Sequence, residues 1–324
     1  MYLPERVVTN GDLEAIKELD TSDEWIQQRS GIRARRYVSN GESGTDMAVH
    51  ASKQAVENAG LTMDDIEFII YATLSPDYTF PGNGCFLQER LFGDRTIGAM
   101  DVRNQCSGFI YGLAAADSFI KTGLYDHILL VGTEVHSTGL DFTRNGRDVT
   151  VLFGDGAGAV VVGPAPEGHP GIMASALHSE GKHARELWLE SPASAMNPRI
   201  SHEALDQGRH YPMMNGRVVF KHAVTRMVEV SHEVLARARR KIAEVALFLP
   251  HQANMRINQM VASYLRIPEE KMVSTIQWTG NTTAATIPIC MCEAIRQGKL
   301  KENDLVLLTA FGSGFTWAST LLAW

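Results

Sequence analysis

The order of apolar segments in this chain is written twice. In the first half, residues 47–59 carry helical spacing and stop at Gly60. Residues 66–71 form a short apolar strand, 75–84 a Pro/Gly-containing loop and 85–91 a helix. A strand then leads to Asp101, an apolar helix covers 109–120, and a strand covers 128–131. In the second half a long helix over 219–241 precedes a strand at 245–249. The polar segment Pro250-His251-Gln-Ala-Asn254-Met-Arg256 follows, then a helix over 257–265 and a strand at 273–278. Asn281 opens an apolar helix over 282–296, and a strand at 305–308 closes the unit. Alternation of this kind is the pattern of an α/β fold. Recurrence of four elements in order implies a duplicated unit whose equivalent positions meet near a pseudo-twofold axis. The halves fall at 1–165, carrying Cys106, and 166–324, carrying His251 and Asn281.

Spacing ties the two copies together. Cys106 precedes Ile128 by 22 residues and Asn281 precedes Leu305 by 24, which makes Asn281 the expected counterpart of Cys106. Each sits where a strand gives way to a buried helix. A helix N-terminus offers free N–H groups and a favourable dipole, so the Cys106 thiol is expected to be acidic and nucleophilic. His251 directly follows a strand, at the end where ligand sites of α/β sheets gather. Cys, His and Asn together support acyl-thioester chemistry, with the thiolate attacking a carbonyl and the other two donating to a developing oxyanion or enolate. Each residue also fits a plainer role: Cys106 as a small buried hydrophobe, His251 as a core histidine, Asn281 as a helix N-cap. His222 fits packing or the surface.

Composition narrows the alternatives. A net charge of −7 opposes generic nucleic-acid binding while leaving room for a local basic patch. The four cysteines, Cys85, Cys106, Cys290 and Cys292, do not make a disulfide scaffold or a zinc spacing. No apolar run reaches membrane-spanning length, and no signal peptide opens the chain, so cytoplasmic residence is expected. The glycines of Phe153-Gly-Asp-Gly-Ala-Gly-Ala run into a β-branched strand rather than a helix. That argues for close backbone packing rather than a dinucleotide site.

At these residues the chain resembles condensing enzymes of the thiolase fold, most closely the β-ketoacyl-acyl-carrier-protein synthase III family. The resemblance covers nearly the whole chain. It is carried by Asp20-Thr-Ser-Asp-Glu-Trp25-Ile, Arg29-Ser-Gly-Ile-Arg33, Cys106-Ser-Gly-Phe, the Phe153 and Pro250 segments, Gly280-Asn281-Thr-Thr-Ala-Ala and Phe311-Gly-Ser313-Gly-Phe-Thr-Trp317. It implies a duplicated five-layered α/β/α/β/α fold, a homodimer, and no metal or redox cofactor. Cys106 would take an acyl group from acyl-CoA. A malonyl thioester on acyl carrier protein would then lose carbon dioxide and attack it, with His251 and Asn281 on the enolate oxygen. The backbone N–H groups of Cys106 and Ser313 would form the oxyanion hole. Trp25, Arg29 and Arg147 match CoA-nucleotide contacts, Asn254 a pantetheine contact, and Lys221 and Arg256 carrier-protein contacts. Phe80 and Phe311 match acyl-pocket positions, Phe80 capping the partner's pocket.

Three positions depart from the family pattern. The family has a strand before Leu3-Pro-Glu, and this chain opens on that segment, which implies either a misassigned or truncated start or a sheet with an exposed edge. Asn104-Gln105 and Thr73-Leu-Ser-Pro-Asp77 look more like alkylquinolone-pathway relatives, a secondary-metabolite alternative for the acyl primer. Ser313 stands where Gly is common, and a backbone donor survives that exchange. A biosynthetic thiolase would need a second cysteine where Ser313 stands, and elongating synthases a histidine at Asn281. A papain-like hydrolase and a catalytically silent acyl-binding scaffold are the remaining alternatives.

Overall fold

The computed structural model describes residues 1–324. Its strands are β1 (Arg6–Thr9), β2 (Ala34–Tyr37), β3 (Phe68–Ala72), β4 (Gly98–Val102), β5 (Ile128–Glu134), β6 (Gly156–Val162), β7 (Ile172–Ser179), β8 (Leu187–Trp188), β9 (Met213–Met214), β10 (Leu247–Pro250), β11 (Leu305–Gly312) and β12 (Thr316–Ala323). Two four-stranded sheets organise the molecule, in the orders β4-β3-β5-β6 and β10-β11-β12-β7.

The period-2 alternation of the strands sorts the core into layers. Ile70, Ile128, Leu130, Leu249 and Leu308 point between the sheets, onto the helices Gly108–Lys121 and Thr286–Arg296. Ile69, Tyr71, Leu129 and Val131 point outward onto the helices Gly44–Asn58 and Asn83–Phe92. Phe248 and Leu307 point the opposite way, onto the helices Gly216–Arg237 and Met255–Leu265. The result is the five-layered α/β/α/β/α thiolase architecture. No helix is long and apolar enough to cross a membrane.

Isolated bridges complete the duplication. Tyr2 pairs antiparallel with Ala157 on the outer edge of β6, exchanging backbone hydrogen bonds of 2.8 and 2.9 Å. Met272 pairs parallel with Phe248 on the outer edge of β10. With these added, both sheets have five positions in the same order and the same strand directions. The edge expected to be open is thus occupied by a single residue, Tyr2.

The strand expected at 273–278 does not form. The buried Gln252 side chain takes its donors instead: Oε1 accepts from Thr275 N at 3.1 Å, Ile276 N at 3.3 Å and the Ser274 hydroxyl at 2.9 Å. The chain turns into the short helix Ile276–Thr279.

The counterpart of Cys106 is also different from the expected one. Three-residue 3-10 turns, Gln105–Ser107 and Thr283–Ala285, lead into the two central helices. Their first residues both hold left-handed backbones, Gln105 at φ 44° and Thr283 at φ 50°. Cys106 therefore corresponds to Ala284, and Asn281 lies three residues upstream of it. Close approach of strands from the opposite half is matched as well. A Cβ on Gly312 would stand 2.8 Å from Cys106 Cβ, and one on Gly132 would stand 2.5 Å from the Ala284 carbonyl oxygen.

Candidate active site

Cys106, His251 and Asn281 line one cavity of about 580 Å³. All three are buried, at 7%, 1% and 5% exposure. Trp25, Arg29, Asn254 and Arg256 line the same cavity, as do Phe311 and Gly312, while Leu187, Met214, Phe220 and Ile257 supply apolar wall. Arg147, Lys221, Ser313 and Phe80 are not part of that wall.

The nucleophile position is built by both halves. Cys106 lies in the 3-10 turn before the helix Gly108–Lys121, with β11 passing close over it at Gly312. Burial pushes its thiol up to about 12, and the charge of Glu134 adds to that, against the backbone N–H groups of Cys106 and Ser313. Burial thus opposes the acidic thiol expected from the helix terminus. The two N–H groups that oppose it are the pair expected to hold an oxyanion. The Ser313 hydroxyl turns away and donates to the Leu187 carbonyl.

His251 follows β10, and its N–H extends the β10–β11 pairing to the Thr309 carbonyl at 2.8 Å. Its Nδ1 lies 2.7 Å from the Thr286 hydroxyl, which itself donates to the Thr283 carbonyl at 2.9 Å. That leaves Nδ1 as the protonated nitrogen and Nε2 as a free acceptor. Nε2 is buried and has no partner in the protein. Burial pushes this imidazole down to about 3.

Asn281 is pinned by its backbone to the glycine-containing segment. Its N–H donates to the Leu152 carbonyl at 2.8 Å and its carbonyl accepts from Gly154 N at 3.1 Å. Its Oδ1 accepts from Thr283 N at 2.9 Å, so the amide NH2 is the end left for a ligand. Asp155 anchors the same region, accepting from His136 N, Ser137 N and Val38 N at 2.6, 3.0 and 2.8 Å. The segment packs backbone on backbone, as its sequence implied.

At the cavity mouth, Ser22 caps the helix Asp23–Ser30. Trp25 and Arg29, four residues apart, share a face of it. The Arg29 and Arg147 guanidinium carbons lie 4.5 and 4.7 Å from the Trp25 ring centroid. Asn254 caps the helix Met255–Leu265, and its amide donates to the Arg29 carbonyl at 2.9 Å, tying the two mouth helices together. Arg256 sits 5.7 Å from the Phe220 ring centroid, and Lys221 is exposed on the neighbouring helix. Phe80 is 79% exposed, away from its own chain's cavity.

Sequence reasoning missed Arg217, which lines the cavity one helical turn before Lys221 and was findable from that i, i+4 spacing. It also missed Thr286, Thr283 and Gly312. Glu180, His183 and His222 bring donor atoms within 4.8 Å of one another. The two Glu180 oxygens are already paired with Lys182 and Arg226, so the cluster clasps residues 180–183 onto the helix Gly216–Arg237.

A buried thiol opposed by two backbone donors, sharing one cavity with an imidazole and a carboxamide, suits a condensing enzyme of the thiolase fold, in the acyltransferase class. The family description 3-Oxoacyl-[acyl-carrier-protein (ACP)] synthase III matches residues 100–181, and its C-terminal counterpart matches 235–324. The chain is 44% identical over 321 residues to the Beta-ketoacyl-[acyl-carrier-protein] synthase III of Methylococcus capsulatus, covering 99% of this chain and 96% of that one. It is 41% identical over 323 residues to that of Caldanaerobacter subterraneus subsp. tengcongensis, covering 100% and 95%. The crystal structure of the Aquifex aeolicus 3-oxoacyl-[acyl-carrier-protein] synthase III superposes with a TM-score of 0.90 at 43% identity, covering 100% and 97%. The chain belongs to the 3-oxoacyl-acyl-carrier-protein synthase III family.

Proposed function

We propose that this enzyme moves an acyl group from acyl-CoA to Cys106 and condenses it with malonyl-acyl carrier protein, giving a 3-ketoacyl product that starts fatty-acid synthesis. The observation that carries this reading is the single cavity running from the Trp25–Arg29 mouth to Cys106, His251 and Asn281. An aromatic face between guanidinium groups suits an adenine nucleotide and its phosphates.

The Cys106 thiol gives its proton to His251 Nε2, and the thiolate attacks the thioester carbonyl. The N–H groups of Cys106 and Ser313 hold the oxyanion. The carbon–sulfur bond to CoA breaks, and the leaving thiolate takes a proton from solvent. His251 stays protonated. When the malonyl carboxylate departs as carbon dioxide, its bonding pair forms an enolate whose oxygen faces His251 Nε2–H and the Asn281 NH2. The enolate carbon attacks the acyl group, the Cys106 thiolate is expelled, and it recovers its proton from His251. One solvent proton is consumed per turnover.

Arg217, Lys221 and Arg256 give the mouth a positive rim on an acidic protein, suited to an acidic carrier. A homodimer is supported by the free edge of β4 and by Tyr78 and Phe80, exposed at 63% and 79%. A cytoplasmic setting is part of this proposal.

Radiolabelled acyl-CoA should label Cys106, and malonyl-acyl carrier protein should then release a 3-ketoacyl product. Label retained in Cys106→Ala, or acyl-enzyme that only hydrolyses, would overturn the reading.

A further inference from the structure

The left-handed turn at Thr283 has each of its polar groups assigned. Its N–H donates to Asn281 Oδ1 at 2.9 Å, which turns the Asn281 NH2 toward the cavity. Its carbonyl accepts from the Thr286 hydroxyl at 2.9 Å, and Thr286 holds His251 Nδ1 at 2.7 Å. Its own hydroxyl meets His136 Nε2 at 2.5 Å. One residue therefore sets both the flip of the Asn281 amide and the tautomer of His251.

A β-branched residue at φ 50° is an uncommon conformer that surrounding contacts must maintain. The equivalent turn at Gln105 keeps φ 44° with no hydrogen bond from its side chain. The His136 contact is therefore not a requirement of the turn itself; it belongs to the half that carries Asn281 and His251. His136 is well placed to act as a fixed post. Its N–H is held by Asp155 at 2.6 Å, and its ring lies 4.4 Å from that of Phe153, the residue that bridges to Asn281. Burial keeps its imidazole neutral, so its bond to Thr283 persists across the working pH range.

We infer that His136 is a positioning residue for the condensation half-reaction, acting through Thr283 to aim the Asn281 amide and His251 Nε2 at one point. It does not line the cavity. Of the two side chains, acylation uses only His251, as acceptor of the Cys106 proton, whereas condensation needs His251 Nε2–H and the Asn281 NH2 aimed together at the enolate oxygen, so loss of the lock weighs more heavily on condensation. The inference rests on the proposed function and assigns it a further component.

The test separates the two half-reactions in His136→Leu, His136→Gln and Thr283→Val. Acylation is read as the burst of radiolabel on Cys106, and condensation as carbon dioxide release and 3-ketoacyl formation by pre-acylated enzyme. In His136→Leu, acylation should fall by only a few-fold, because it uses His251 without Asn281. Condensation should fall roughly ten- to hundredfold, short of the ~10²–10⁴-fold worth of a general acid–base group itself. His136→Gln, which restores a polar atom near the Nε2 position, should recover most of the loss. Thr283→Val should reproduce His136→Leu, and the double variant should be no worse than either, because both remove one contact. Equal losses in both half-reactions, failure of Gln to rescue, or losses that multiply in the double variant would overturn the inference. If His136→Leu does not fold, Thr283→Val carries the same readout. Wild-type enzyme that acylates but never condenses would refute the proposed function, an outcome distinct from any of these.

Discussion

The Thr286 hydroxyl stands between the Thr283 carbonyl and His251 Nδ1, and its direction decides which nitrogen of His251 is left without a protein partner. Because it donates to the carbonyl, its oxygen accepts from Nδ1–H, and Nε2 presents a lone pair. An unprotonated Nε2 that shares a cavity with a protonated thiol is a base awaiting a proton. The neutral pair therefore suits the start of the cycle, and the imidazolium it becomes suits the enolate.

Thr286→Val keeps the shape and removes the oxygen. It leaves Nδ1–H buried without a partner, at a cost of about 1–3 kcal/mol. Melting should fall accordingly, and kcat should drop roughly ten- to hundredfold, less than loss of the imidazole itself would cause. Thr286→Ser should retain most activity. Unchanged kcat in the valine variant would show that the tautomer is set elsewhere.

Burial pushes the Cys106 thiol up and the His251 imidazole down, so the free enzyme holds both neutral at pH 7. Iodoacetamide alkylation of Cys106 should then rise about tenfold per pH unit from pH 6 to 9, following the thiolate fraction. Tryptic mass spectrometry of the adduct gives the rate. A plateau already reached by pH 7 would mean that the helix terminus outweighs desolvation.

Much of this architecture could be read from one chain, and the reasons are local. Strands such as 128–131 are buried on both faces, so they appear as unbroken apolar runs, and the repeat of such runs survives without any contact information. The segment at 273–278 has the same look but loses its backbone donors to the Gln252 side chain, more than twenty residues away. The site residues were visible at element ends, whereas the thiol's environment was not, because Gly312 approaches Cys106 from the other half. The counterpart of Cys106 was misjudged by three residues because spacing to the next strand does not show where the left-handed turn falls. His136 and Thr283 lie 147 residues apart and meet only through the pseudo-twofold packing.

Gly312→Ala should abolish both half-reactions while the protein still folds. The added methyl would stand 2.8 Å from Cys106 Cβ and 3.0 Å from Cys106 N, closer than packed atoms tolerate. The shift displaces the nucleophile from the Ser313 and Cys106 donors, and loss of one such donor alone costs about 10²–10³-fold in kcat. Normal acylation with a native circular dichroism spectrum would contradict this.

Arg147→Ala should raise KM for acyl-CoA with kcat nearly unchanged, since Arg147 touches the Trp25 face and not the reacting end. A cation–π contact of about 0.5–2 kcal/mol corresponds to roughly a two- to thirtyfold change. Arg147 also donates to the Asp20 carbonyl at 2.8 Å, so melting should be followed alongside. A fall in kcat at constant KM would remove Arg147 from the nucleotide clamp.

Glu134 should make stability fall as pH rises. It is fully buried, facing no cation, and burial pushes its carboxyl from the ordinary 4.5 up to about 7, against donors from Thr73, Leu74, Ser75 and Ala284. A raised folded-state pKa means that the native chain binds the proton more tightly than the unfolded chain. The stabilisation is then complete below about pH 4.5 and is lost as pH climbs toward 7. The difference amounts to about 3 kcal/mol across that window. Glu134→Gln cannot ionise, so the wild-type melting temperature should decline relative to the variant between pH 4.5 and 7 and then run parallel above pH 8. A constant offset over the whole range would show that the hydrogen-bond donors keep Glu134 ionised throughout.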